Sequence, residues 1–233
     1  MFGTLAVVLG VVPLLLAGAL TFAAVKNHRI QVSNDAFAAV AWHNLRSDEV
    51  FPDFLQDTSL ARQQPPGWSR QGMAKASDCS QALAEELAKA AVAQGCTTAL
   101  QATYVDIGGE MAATVALCVV GSYQQAGAVV AQFDVASAPG PMVYPVAVPG
   151  TAAAGWNKKL AYAGGTHAVG LSTNSPPYFV AITVGPLDAR RQYGRLPGDW
   201  AISGRGERKV YQGVADDLLG AYARAFDMTV SGR

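Results

Sequence analysis

The chain has 233 residues, with 17 Lys plus Arg balanced by 17 Asp plus Glu and only 15% charged side chains. Such a balance gives no long-range field of either sign, which excludes a protein drawn to nucleic acid by its overall charge. Once an N-terminal anchor is set aside, the length suits one domain of about 150–200 residues.

Met1 to Val25 contains no charged residue. A helix that crosses the hydrocarbon core needs about 20 mainly apolar residues, and Phe2 to Val25 supplies them. Gly3, Gly10, Pro13 and Gly18 are better tolerated in membrane helices than in soluble ones. A cleaved signal peptide would carry a basic segment before a shorter apolar core. Nothing basic precedes this run, although Thr21-Phe22-Ala23 and Phe22-Ala23-Ala24 are weak cleavage sequences. The expectation is a retained anchor over residues 1–25. Lys26, His28 and Arg29 follow it, and the positive-inside rule would draw that side into the cytoplasm. The remainder, rich in Gly, Ala and Val, poor in Lys and carrying three cysteines, favours export. An extracytoplasmic domain is therefore expected, with a cytoplasmic one as the alternative.

Residues 26–77 read as a juxtamembrane helix and a tether. Ser33-Asn34-Asp35 offers N-caps for a helix from Ala36 to Leu45. From Ser47 to Ser77 periodicity is lost, and Pro52, Pro65, Pro66 and Gly67 interrupt regular structure. Phe51 and Trp68 would pin this tether to the domain.

The domain, residues 78–233, opens with the helix-forming run QALAEELAKAAVAQ, in which Glu85 and Lys89 pair at i, i+4 and Gly95 provides the stop. Period-2 runs from Thr98 to Val105 and from Met111 to Val120 predict a hairpin around Gly108-Gly109. Ser122 to Val135 is read as helix. Met142 to Val148 is read as an edge strand because of Pro145. Gly164-Gly165 predicts a second hairpin, between Lys158–Ala163 and Thr166–Ser172, and Tyr178 to Val184 a further strand. A Gly/Pro/Arg-rich loop over 186–206 leads to an amphipathic helix from Glu207 to Asp227, with Val210, Val214, Leu218, Ala221 and Ala225 inward. Hairpins mixed with helices and no βαβ repeat give an α+β fold, an antiparallel sheet packed with helices.

The order of short motifs is informative. Val50-Phe51-Pro52, Gly67-Trp68-Ser69-Arg70, Asp78-Cys79, Gly95-Cys96 and Leu100-Gln101-Ala102-Thr103-Tyr104 follow the apolar run, and Thr114-Val115-Ala116-Leu117 and Pro177-Tyr178-Phe179-Val180 come later. Together they resemble a loose set of uncharacterised single-pass membrane-anchored proteins of actinobacteria. The resemblance implies a fold and a location, and none of its motifs is catalytic.

Three cysteines in an exported domain imply one disulfide and one thiol. If one unbroken helix joins Cys79 to Cys96, its ends stand about 20 Å apart, too far for a bond whose Cα atoms must lie within about 7 Å. Cys96, which opens the first strand of the hairpin, and Cys118, near the end of the second and almost opposite it, are the expected pair. Three buried thiols in a reducing compartment are the alternative. No CxxC pair occurs and His28, His43 and His167 are scattered, so neither a metal nor another cofactor is expected. His167 reads as an exposed turn residue, and no nucleophile, base and orienter converge in any motif.

Residues 190–209 gather Arg190, Arg191, Arg195, Arg205, Arg208 and Lys209 among four glycines. Arg offers forked donors suited to carboxylate or phosphate, so this stretch is the expected contact for an acidic partner; a solvated connector is the plain alternative. The expected function is a non-enzymatic membrane-anchored module that binds another membrane or envelope protein. A ligand sensor with a pocket in the α+β domain is the second reading.

Overall fold

The computed structural model describes residues 2–56, 67–133, 140–170, 176–187 and 204–231, and of residues 2–16, 31–32, 204–209 and 231 the backbone alone. Helix α1, Phe2–Asn44, is one helix of 43 residues, about 65 Å long at 1.5 Å per residue. The separate helix expected from Ala36 does not start there. Ala19 to Asn44 contains neither Gly nor Pro. Ser33, Asn34 and Asp35 each disfavour helix by only about 0.5 kcal/mol, too little to interrupt a hydrogen-bonded ladder. Among the described residues no helix is long and apolar enough to cross a membrane; the side chains of residues 2–16, the larger part of the expected span, lie outside them.

Beyond α1 come α2 (Ser47–Val50), β1 (Phe54–Gln56), β2 (Gly67–Met73), α3 (Cys79–Ala82), α4 (Glu85–Ala93), β3 (Thr98–Asp106), β4 (Met111–Val119) and α5 (Tyr123–Val130). A short 3-10 turn (Ala152–Gly155), β5 (Ala163–Ala168), β6 (Tyr178–Pro186) and α6 (Gly204–Ser231) complete the order. The strands form one antiparallel sheet, β1-β2-β3-β4-β6-β5. The α+β class with an antiparallel sheet packed with helices is thus observed. The stretch expected as a tether contributes two strands: Leu55 lies opposite Trp68, and both are buried with Phe51. Pro65 and Pro66 lie outside the described residues.

Both faces of the sheet are covered, which explains why β4 and β6 are apolar or small at nearly every position rather than alternating. On the first face, Ala113, Val115 and Leu117 of β4 and Val180, Ile182 and Val184 of β6 pack against the end of α1 and against α6. Helix α6 buries Tyr211, Val214, Leu218, Tyr222 and Phe226, whereas Val210, expected inside, is exposed. On the second face Ala116, Cys118, Phe179 and Ala181 meet α3, α4 and α5.

The second face also carries a trench. Sheet register aligns Gly72, Thr103, Thr114, Thr183 and Gly164 in one row across five strands. Residues 140–148 lie along this row. They do not form the edge strand expected from Met142 to Val148, since Pro141 and Pro145 lack the N–H a ladder requires and a single bridge, Leu83 to Val143, is formed. Their backbone groups are taken up by side chains instead. Thr183 accepts from the N–H groups of Met142 (2.9 Å) and Val143 (2.7 Å), Val146 N–H donates to Thr114, and Thr103 donates to Val146 O at 2.7 Å. Gly164 is therefore no hairpin turn. A Cβ there would stand 2.3 Å from Ile182 O and 2.9 Å from Met142 N, so the glycine permits a close backbone approach inside β5.

The same segment decides the disulfide. Leu83 and Ala84 are extended (ψ 153° and 150°). Ala84 N–H donates to Met142 O and Tyr144 N–H to Ala82 O. These tertiary bonds break the expected single helix into α3 and α4, although local propensity favours continuity. The fold-back brings Cys79 and Cys96 to a Cα separation of 6.1 Å, and they are bonded. The expected Cys96–Cys118 bridge is corrected accordingly: Cys118 lies opposite Ala99, is buried and carries a free thiol. Peptide mapping without reduction should recover Cys79 joined to Cys96, with Cys118 resisting alkylation until the chain is unfolded. Cys79→Ser should cost about 3 kcal/mol, the chain-entropy value for a loop of this size. A Cys96–Cys118 peptide would show that α3 and α4 are one helix in solution.

Candidate functional site

The residues that follow the free part of α1 are held to the domain by side chains that capture their carbonyls. Tyr178, at the start of β6, donates its hydroxyl to Ala38 O at 2.6 Å and accepts from Trp42 N–H at 3.4 Å. Tyr222 of α6 donates to Val50 O at 2.9 Å, and Tyr104 of β3 donates to Pro52 O at 3.0 Å. Arg70 of β2 donates to Ser47 O at 3.2 Å and forms a short ion pair with Asp53. Four side chains from four elements thus fix residues 38–53 as the chain leaves α1. The carbonyls of Ala38 and Val50 are buried and that of Pro52 partly so, which leaves them little water to turn to, whereas the Ser47 contact lies at the surface.

The captures share one aromatic stack. Phe51 lies against Tyr222 (5.4 Å between ring centres), Tyr222 against Phe226 (6.2 Å), and Phe226 meets Tyr178 edge-on (5.6 Å). Ala38 and Ala41 of α1 and Leu45 just beyond it are buried in the same core. Tyr222 meets residues beyond the end of α1, whereas Phe226 meets the tyrosine that reaches Ala38. Helix α6 therefore descends antiparallel to α1, with its N-terminus at the end of the domain remote from the apolar run.

Burial raises all three phenols. Tyr178 is pushed up to about 12, while Tyr222 and Tyr104 lie well above the ordinary value. For Tyr104, Arg70 opposes burial and Asp53 reinforces it. Cys118 is likewise raised by burial, which keeps its thiol protonated and unreactive.

The expected contact residues are only partly described. Arg190, Arg191 and Arg195 lie outside the described residues; Arg208 and Lys209 belong to the first turns of α6 as expected, and Arg205 joins them there rather than the loop ahead. His167 is exposed as expected, but on strand β5 rather than in a turn; partial desolvation lowers its pKa, with Asp216 raising it and Arg224 lowering it. Among the described residues no group of three or more His, Cys, Asp or Glu side chains comes together. A shallow depression of about 320 Å³ is lined by Ser47, Asp53, Arg70, Gln71, Gly72 and Met73. Its guanidinium is already engaged by Asp53, Ser47 O and the Met73 sulfur, so the hollow belongs to the carbonyl clamp. No protein-family model matches the chain, and no similar curated protein or solved structure is found.

The sequence pointed to Phe51 as a pin but not to the tyrosines, because the carbonyls they capture are distant in sequence. The signal available was three tyrosines in otherwise apolar runs, each needing a buried partner for its hydroxyl.

Raised folded-state phenol pKa values stabilise the fold fully below about pH 10, the unfolded value, and that contribution is lost as pH rises toward about 12. The alkaline unfolding transition should therefore fall in this window. Tyr222→Phe, which leaves Val50 O unsatisfied, should cost about 1–3 kcal/mol at neutral pH, measured by urea titration. A variant as stable as the wild type would show that water can replace the hydroxyl.

Proposed function

We propose that the chain is a non-enzymatic, membrane-anchored module whose domain stands outside the cytoplasm and presents a surface to another envelope or membrane protein. The observation that carries this reading is the continuity of α1. One helix leads from the apolar run to Ala38 and Ala41 in the core; Tyr178 clamps the helix itself, and Tyr222, Tyr104 and Arg70 clamp the chain beyond it. A rigid stalk fixes the height and orientation of a domain, which an assembly subunit needs and a freely diffusing enzyme domain does not.

Two further features support it. The Cys79–Cys96 bond suits an oxidising compartment. The antiparallel course of α6 sets its first turns, which include Arg205, Arg208 and Lys209, at the membrane-distal end of the domain on the anchor reading, and Arg is suited to the carboxylates of an acidic protein. Membership among actinobacterial anchored proteins remains part of the same proposal.

Protease added to intact spheroplasts should digest residues beyond the anchor, and protection until lysis would place the domain in the cytoplasm instead. Reversal of Arg190, Arg191 and Arg195 to Glu should remove a specific cross-linked neighbour from intact cells while the thermal midpoint stays unchanged. Retention of every cross-link would move the contact surface elsewhere.

A further inference from the structure

Phe22, Val25, Lys26, Arg29, Ile30 and Ser33 stand at i, i+3, i+4, i+7, i+8 and i+11, so they share one face of α1. They line a shallow groove of about 290 Å³. Phe22 is 73% exposed and Val25 and Ile30 are each 47% exposed, and the two basic side chains are exposed as well. No Asp or Glu occurs between Ala17 and Asn34, and among the described residues neither Lys26 nor Arg29 has an ion-pair partner. Among the described side chains of α1 the first that is buried in the domain is Ala38, twelve residues beyond Lys26 and so about 18 Å further along the axis. The domain does not reach this groove.

The chemistry is graded along the helix. Apolar Phe22 and Val25 come first, the pair of cations follows, and Ile30 and Ser33 close the outer end, where Ser33 adds a hydroxyl. That order matches a phospholipid read from its acyl chains through its phosphate to its glycerol headgroup. Arg presents a fork to phosphate oxygens, and Lys extends an apolar stem along the lipid while its ammonium stays at headgroup level. We propose that this face of α1 is a binding site for an anionic phospholipid, its phosphate held between Lys26 and Arg29 and its upper acyl carbons resting on Phe22 and Val25. The inference rests on the anchor reading, and it assigns the two cations a role on the outer leaflet, where the positive-inside rule gives them none.

The test uses the purified full chain in phosphatidylcholine bilayers that contain a trace of spin-labelled phosphatidylglycerol or spin-labelled phosphatidylcholine. Electron spin resonance then measures the immobilised fraction of each. Basic residues near an anionic surface contribute about fivefold each to association. The wild type should immobilise phosphatidylglycerol about fivefold or more over phosphatidylcholine, less so in high salt. The Lys26→Gln, Arg29→Gln double variant should immobilise both lipids equally, and Lys26→Arg should keep the preference. Equal immobilisation in the wild type overturns the proposal while leaving the anchor intact, as it would if the cations instead meet an acidic helix of another subunit. A preference that survives the double variant overturns it too. Absence of any immobilised lipid means the chain has not entered the bilayer, and then the anchor reading fails and this one with it. The phosphatidylcholine signal in each variant reports that insertion has occurred.

Discussion

The architecture depends on the capture of backbone carbonyls by buried phenols. A chain that leaves a long helix and enters a sheet must turn, and its carbonyls lose their helical partners at the turn. Here Leu45, Val50 and Phe51 of the turn are buried, so at those positions water cannot serve. Tyr222 and Tyr104 take up Val50 O and Pro52 O, and Tyr178 engages Ala38 O on α1 itself. Each hydroxyl comes from a different element. The helix, the sheet and α6 are therefore joined through the same sixteen or so residues, and none of the three can shift without leaving a polar group unpaired at roughly 1–3 kcal/mol each.

The second face of the sheet solves the same problem with smaller groups. Residues 140–148 contain two prolines and cannot join a ladder, yet they cross a buried surface. A row of threonines, flanked by Gly72 where the Val148 side chain packs and by Gly164 where the backbone comes closest, supplies the missing donors and acceptors. This strap in turn takes the backbone of Ala82 and Ala84, splits α3 from α4 and sets the disulfide. One local oddity in the sequence, a Pro-rich apolar stretch, thus governs the cysteine pairing some fifty residues earlier.

What could be read in the sequence follows from the range of the interactions. The β3–β4 hairpin, α5, β6 and α6 rest on local periodicity and turn chemistry, and they appear where expected. The Glu85–Lys89 pair is present at 3.0 Å. The tether, the second hairpin and the disulfide were misread because each was settled by a distant partner. Strand β2 is made by pairing with β3, Gly164 by the approach of Met142, and the break at Leu83 by Val143. Of the candidate site, Phe51 was legible as a buried pin. The tyrosines were not, since a buried hydroxyl announces only that a partner exists and not which carbonyl it will find.

The central claim is that the apolar helix and the domain move as one body. Nitroxide labels placed by Leu20→Cys on the stalk and Lys89→Cys on the domain surface report this directly, because neither side chain is packed into the core and neither touches the clamp. Pulsed dipolar spectroscopy on the full chain in bilayers should give one narrow distance distribution, broadened when Tyr178 and Tyr222 are both replaced by Phe. A broad distribution in the otherwise unaltered chain would mean that α1 bends between label and core, and the account of a rigid stalk would be contradicted.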